Sequence, residues 1–237
     1  MTSLKTSFEM AVNIEAYNTI KEELDNENAT LVAVSKTKSV EDILELYKLG
    51  QRDFGENYVQ ELAEKYELTP KDIRWNFIGH LQSNKVKYIA PFVSLIQSVD
   101  SKKILAEIDK QALRQNRIID CLLQVHIAAE ETKFGFDEND LHELFDAGFI
   151  DFKNIRLLGL MGMASFTNDI TVVRNEFRSL KFLFEKYESL TSDNYRSDNC
   201  QFSILSMGMS SDYKMAIEEG SNMVRIGSLL FGKREKV

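Results

Sequence analysis

The chain has 237 residues, with 29 basic against 37 acidic side chains and a formal net charge of −8. That balance argues against long-range attraction to nucleic acid or anionic lipid, and no run of about 18 apolar residues is present to span a membrane. Met1 to Met10 lacks the long apolar stretch that directs export, so a cytoplasmic protein is expected.

Short apolar runs alternate with amphipathic segments along almost the whole length, as in repeated βα units around a parallel sheet. A leading helix is expected from about Leu4 to Asn26, where Phe8, Val12, Ile14 and Ile20 interleave with charge. The first strand, Thr30 to Lys36, is an apolar run closed by a lysine. Ser39 reads as an N-cap, Asp42 as an acidic first-turn residue, and Ile43, Leu46, Tyr47 and Leu49 as the buried stripe of the first crossover helix, which Gly50 ends. Further strands are expected at Asp53 to Gly55, Arg74 to Ile78, Ser94 to Val99, Ile119 to Ile127, Ile155 to Met161, Gln201 to Ser206 and Met223 to Ile226. Helices are expected between them at Tyr58 to Glu67, Ser83 to Ile89, Lys102 to Gln115, Glu138 to Ala147, Val172 to Glu188 and Ser211 to Glu219. Pro70 and Pro91 fall between elements, and the polar stretch Thr191 to Asn199 reads as a surface loop. The pattern predicts an α/β fold, a single (β/α)8 TIM barrel with an extra N-terminal helix. It forms one domain over residues 1–237, with the helix in 1–29, the barrel in 30–232 and a tail in 233–237.

Barrels of this type gather their chemistry at the C-terminal ends of the strands. Lys36 ends the first strand and shares a face with Val32 and Val34, so with the valines inward its amine reaches the barrel mouth. A partly desolvated amine loses affinity for its proton and can form an imine with an aldehyde, although a solvated rim charge is the plainer alternative. Ser206-Met207-Gly208-Met209-Ser210, before the helix expected from Ser211, and Gly227-Ser228 offer small residues and backbone N–H groups of the kind that hold phosphate. Each turn alone is equally an ordinary strand end with a helix cap. A lysine at one strand end and a phosphate cradle at two others suggest pyridoxal 5'-phosphate (PLP).

Arg225 lies on the face opposite Val224 and Ile226, which directs it into the barrel. Its acceptor there would be the pyridine nitrogen of the cofactor or an internal carboxylate such as Glu56. Asn57 and His80 read as secondary groups near the ring oxygen or ring face, with turn stabilisation as the alternative. Met161, Met163, Met207 and Met209 read as padding of the pocket. His126 and His142 have no partner at useful spacing, which leaves metal binding and a nucleophile–base pair unsupported, and Cys121 and Cys200 read as core thiols.

The segments Val32-Ala33-Val34-Ser35-Lys36-Thr37, Phe54-Gly55-Glu56-Asn57-Tyr58-Val59-Gln60, Trp75-Asn76-Phe77-Ile78-Gly79-His80-Leu81-Gln82-Ser83-Asn84-Lys85, Ser206-Met207-Gly208-Met209-Ser210-Ser211-Asp212 and Val224-Arg225-Ile226-Gly227-Ser228 resemble the pyridoxal phosphate homeostasis protein family, the YggS-like proteins. The resemblance runs in matching order from about Leu31 to Gly232. It implies a barrel of the alanine racemase N-terminal type with PLP held as a Schiff base on Lys36, and phosphate contacts from Ser206, Gly208, Gly227 and Ser228. It also implies a protein that binds and delivers PLP and maintains its intracellular supply, with no established catalytic turnover. PLP-dependent apoenzymes would be its partners, and a monomer is expected. One departure is His126, where the family often has Asn; Lys133 and Gly135 stand in their usual places.

Racemases and decarboxylases of this barrel type draw a second acid or base from an additional β-domain, and Val237 follows the eighth strand too closely for one. The alternatives are a PLP-dependent amino-acid racemase or lyase, with Lys36, His80 or Lys85 as acid or base, and a barrel enzyme acting on a phosphorylated sugar.

Overall fold

Eight parallel strands pair in sequence order and close on themselves, in a computed structural model that describes residues 12–128, 134–146, 152–193 and 199–232. They are β1 (Thr30–Val34), β2 (Asp53–Glu56), β3 (Arg74–Phe77), β4 (Leu95–Val99), β5 (Ile119–Val125), β6 (Ile155–Gly162), β7 (Cys200–Met209) and β8 (Met223–Ile226). Closure is made by β8 against β1, in register from Thr30 opposite Met223 to Ala33 opposite Ile226.

Alternation along β1 sorts its residues into two cores. Leu31 and Ala33 pack outward with the helices, while Val32 points inward to meet Leu95, Leu122, Met161 and Met223. Both faces of the sheet are buried, which is why the strands read as near-continuous apolar runs. Above the apolar inner layer runs a polar chain: Arg225 donates to Ser206 Oγ at 2.6 Å, Ser206 Oγ to Gln97 Oε1 at 2.7 Å, and Gln97 Nε2 to Asn76 Oδ1 at 2.9 Å. Every donor in that chain has a protein acceptor, as a buried polar network requires.

Local signals set several helices. Asn13 caps α1 (Ile14–Asn26) through the Ala16 N–H at 3.0 Å. Ser39 and Asp42 form a reciprocal capping box on α2 (Val40–Lys48), at 3.1 and 3.2 Å. No described helix is long and apolar enough to cross a membrane.

Differences from expectation lie at element ends. β1 stops two residues before Lys36, although the Ser35 N–H still bonds Gly55 O at 3.0 Å. β7 continues to Met209, past the expected end at Ser206, because an irregular stretch lets Met209 still pair with Arg225. The helix expected from Ser211 is the shorter α8 (Tyr213–Glu218), and a further helix, α9 (Ser228–Phe231), follows β8. α7 runs Ile170–Asp193, so the stretch expected to be a loop from Thr191 begins as helix. The expected helical residues 4–11, Ala147, Lys133 and the tail lie outside the described residues, as do 194–198.

Candidate functional site at the barrel mouth

Lys36, Asn57, Met163, Arg225, Gly227 and Ser228 line one cavity of about 560 Å³, with Val34, Ile78, Phe166, Met209, Ser210, Ser211 and Leu229. These residues come from the C-terminal ends of β1, β2, β3, β6, β7 and β8 or from the segments just after them, the end of the barrel where loops build sites.

Arg225 is fully fixed at the cavity floor. Its Nη1 donates to Ser206 O at 2.9 Å and Oγ at 2.6 Å, and its Nη2 donates to Gly162 O at 2.8 Å. All three acceptors are neutral, and burial lowers the guanidinium pKa to about 10 despite the opposing pull of Asp212. The carboxylate alternative does not hold. Glu56 turns outward from β2 to Lys65 of α3 (Val59–Leu68), at 2.7 Å. Burial raises the Glu56 pKa, an effect that Lys65 opposes.

Asn57 stands where the ends of β2 and β3 come unusually close. A Cβ on Gly79 would lie 2.1 Å from the Asn57 carbonyl oxygen, so only glycine fits there. Asn57 Oδ1 is buried without a hydrogen-bond partner among the described residues. Across the mouth, the turns after β7 and β8 meet: the Gly227 N–H donates to Ser210 Oγ at 3.3 Å. The first N–H groups of α9 have no acceptor within that helix.

Four expected site residues do not line this cavity. Ser206 lies beneath the floor, its hydroxyl committed to Gln97 and Arg225. Met207 is fully buried in the outer core. Gly208, at φ 94°, faces α8, where an added Cβ would stand 2.6 Å from Ala216 Cβ. Alternation puts Ser206 inward and Met207 outward, and the irregularity between Ser206 and Met209 then breaks it, so that Gly208 also faces outward while Met209 returns to the cavity. His80 occupies a neighbouring depression, with Nδ1 2.9 Å from Asp100 Oδ2 and its ring stacked on Phe134 at 4.0 Å. Lys85 sits near the Tyr88 ring, and the His126 N–H bonds Phe136 O at 3.0 Å.

Conversely, Ile78, Phe166, Ser211 and Leu229 line the cavity without having been singled out. Phe166, 94% exposed, belongs to a loop held by bonds from the Ser165 N–H and Oγ to Glu176 at 2.7 and 2.6 Å. One aromatic residue in a polar loop carries no periodicity to flag it.

The family model for the alanine racemase N-terminal domain matches residues 13–235. The pyridoxal phosphate homeostasis protein of Aquifex aeolicus is 43% identical over 208 residues, covering 87% of this chain and 88% of the relative. The chain belongs to the pyridoxal phosphate homeostasis protein family. The human member is 37% identical over 216 residues, 86% of this chain and 76% of that protein. PipY of Synechococcus elongatus, solved with PLP bound, aligns with a TM-score of 0.83 at 30% identity, over 94% of this chain and all of PipY. An alanine racemase of Clostridium difficile shares the fold, with a TM-score of 0.71 at 15% identity, over 95% of this chain and 57% of the racemase.

Proposed function

We propose that this chain binds PLP through Lys36 and maintains the cytoplasmic supply of the cofactor, without catalytic turnover of its own. The observation that carries the reading is the meeting of Lys36, Arg225 and the Gly227–Ser228 turn on one cavity. The residues fit the group. Lys36 supplies an amine for the aldehyde, to be held as a Schiff base. The Ser228 N–H and the Ser228 and Ser210 hydroxyls are offered to a phosphate, and Gly227, whose N–H is engaged by Ser210 Oγ, leaves room for it. Asn57 Oδ1, a buried acceptor without a partner among the described residues, suits a ring hydroxyl. Met163 pads the ring, and Arg225 offers a donor to the pyridine nitrogen. We assign Ser206, Met207 and Gly208 to the support of this cavity instead of direct phosphate contact, and His80 to the rim.

PLP serves enzymes as an electron sink, and a protonated pyridine nitrogen strengthens that use. An arginine donor leaves the nitrogen unprotonated, which favours carriage over carbanion chemistry. The names of the relatives and the PLP bound to PipY support the same reading. We include PLP-dependent apoenzymes as recipients, and a monomer as the working form, in the proposal.

A racemase or lyase reading draws on the fold likeness, but His80 and Lys85 lie away from the cavity lining. Exchange of the α-proton of added amino acids in heavy water, with purified protein reconstituted with PLP, separates the two. Exchange no faster than with free PLP is expected; sustained turnover overturns the carrier reading.

A further inference from the structure

Lys36 lies beyond the end of β1 in a turn closed by the Lys38 N–H on the Ser35 carbonyl at 3.0 Å. The next residue, Thr37, has a φ of 64°, a left-handed conformation that β-branched side chains rarely adopt. Such a conformation persists only where the surroundings enforce it. Three charged side chains do so here. Lys65 Nζ donates to Ser35 O at 2.7 Å, to Glu56 Oε1 at 2.7 Å and to Glu61 Oε1 at 2.6 Å. Glu61 Oε1 accepts the Thr37 N–H at 2.6 Å, and Glu56 Oε1 accepts Ser35 Oγ at 2.7 Å. Both neighbours of Lys36 are thus tied to one ammonium group, Ser35 directly and Thr37 through Glu61. The Lys65 side chain is 7% exposed and that of Glu56 0%, so water competes little for these bonds.

We propose that Glu56, Lys65 and Glu61 are positioning residues that set where the Lys36 amine stands relative to the aldehyde of bound PLP. The inference rests on the reading of Lys36 as the point of attachment. In that attachment the Lys36 nitrogen bonds to the aldehyde carbon, and the aldehyde oxygen leaves as water with both amine protons. The rate of such a step is sensitive to small displacements of the reacting atoms. None of the three residues lines the cavity, so they act through the backbone at 35 and 37.

The test compares the full wild-type chain with Glu61→Ala, Glu61→Gln and Lys65→Met. Two quantities are read: the rate of imine formation with PLP by absorbance, and the affinity for pyridoxine 5'-phosphate, which has the ring and phosphate but no aldehyde. Glu61→Ala is expected to slow imine formation roughly tenfold or more while leaving the pyridoxine 5'-phosphate affinity unchanged. Glu61→Gln, which keeps an oxygen for the Thr37 N–H, recovers most of the rate. Lys65→Met slows it further; Glu61 is the less buried site, so its variants decide the matter if Lys65→Met does not fold. A wild-type rate in Glu61→Ala overturns the proposal, as does an equal loss of affinity for the aldehyde-free analogue. Borohydride reduction and peptide mapping of the wild type distinguish the two failures. An adduct on another lysine removes the underlying reading, whereas an adduct on Lys36 with unaltered variant rates removes the positioning role alone.

Discussion

Arg225 Nη1 donates to both oxygens of Ser206, the carbonyl at 2.9 Å and the hydroxyl at 2.6 Å, and so couples the last two strands beneath the barrel mouth. The bonds hold the guanidinium plane against rotation while its outer edge meets the cavity. Arg225→Gln removes a charged donor from the proposed ring contact, a bond of about 1.5–3 kcal/mol. PLP affinity should fall by roughly ten- to a hundredfold, with a shift of the cofactor absorbance. Unchanged affinity and spectrum, measured by titration, would refute the contact.

Lys36→Ala should abolish the imine absorbance. The residue is partly exposed, so the unfolding free energy from urea denaturation should stay within about 0.5 kcal/mol of wild type. Retention of the absorbance would move the attachment to another lysine.

Gly208→Ala tests the path of β7. The left-handed backbone costs an L side chain about 1–2 kcal/mol, and overpacking against Ala216 adds about 1–3 kcal/mol. A loss of about 2–5 kcal/mol is expected in urea denaturation. Wild-type stability would contradict the turn of Gly208 toward α8.

Fold and site were legible to different depths. β8 reads correctly from Met223 to Ile226 because alternation and its flanking small residues are local signals, and so is the Ser39–Asp42 spacing of the capping box. The end of β7 was not legible. Small residues after an apolar run look the same whether the strand stops or continues irregularly, and only pairing of Met209 with Arg225 decides. His80 pairs with an aspartate 20 residues away, and Thr37 with a glutamate 24 residues away. Lys65 and Glu61 read as ordinary charges on a helix, since nothing nearby in sequence announces that Lys65 is buried against β1 and β2.

Both cysteines are buried and free, and burial raises their pKa values, that of Cys200 to about 12. Below about pH 8.5, the unfolded value, the Cys200 thiol keeps its proton in both states and stability does not depend on it. Above that pH only the unfolded thiol ionises, so stability falls by about 1.4 kcal/mol per pH unit until the folded pKa is reached. In urea series from pH 8 to 10, wild type should therefore lose about 2 kcal/mol more than Cys200→Ala. Parallel slopes would contradict the buried, protonated thiol.

Attachment at Lys36 is tested most directly by reducing the PLP-loaded protein with borohydride and mapping the modified peptide. A single phosphopyridoxyl adduct, carried by Lys36, is expected. An adduct on any other lysine, or reduced protein without one, would contradict it.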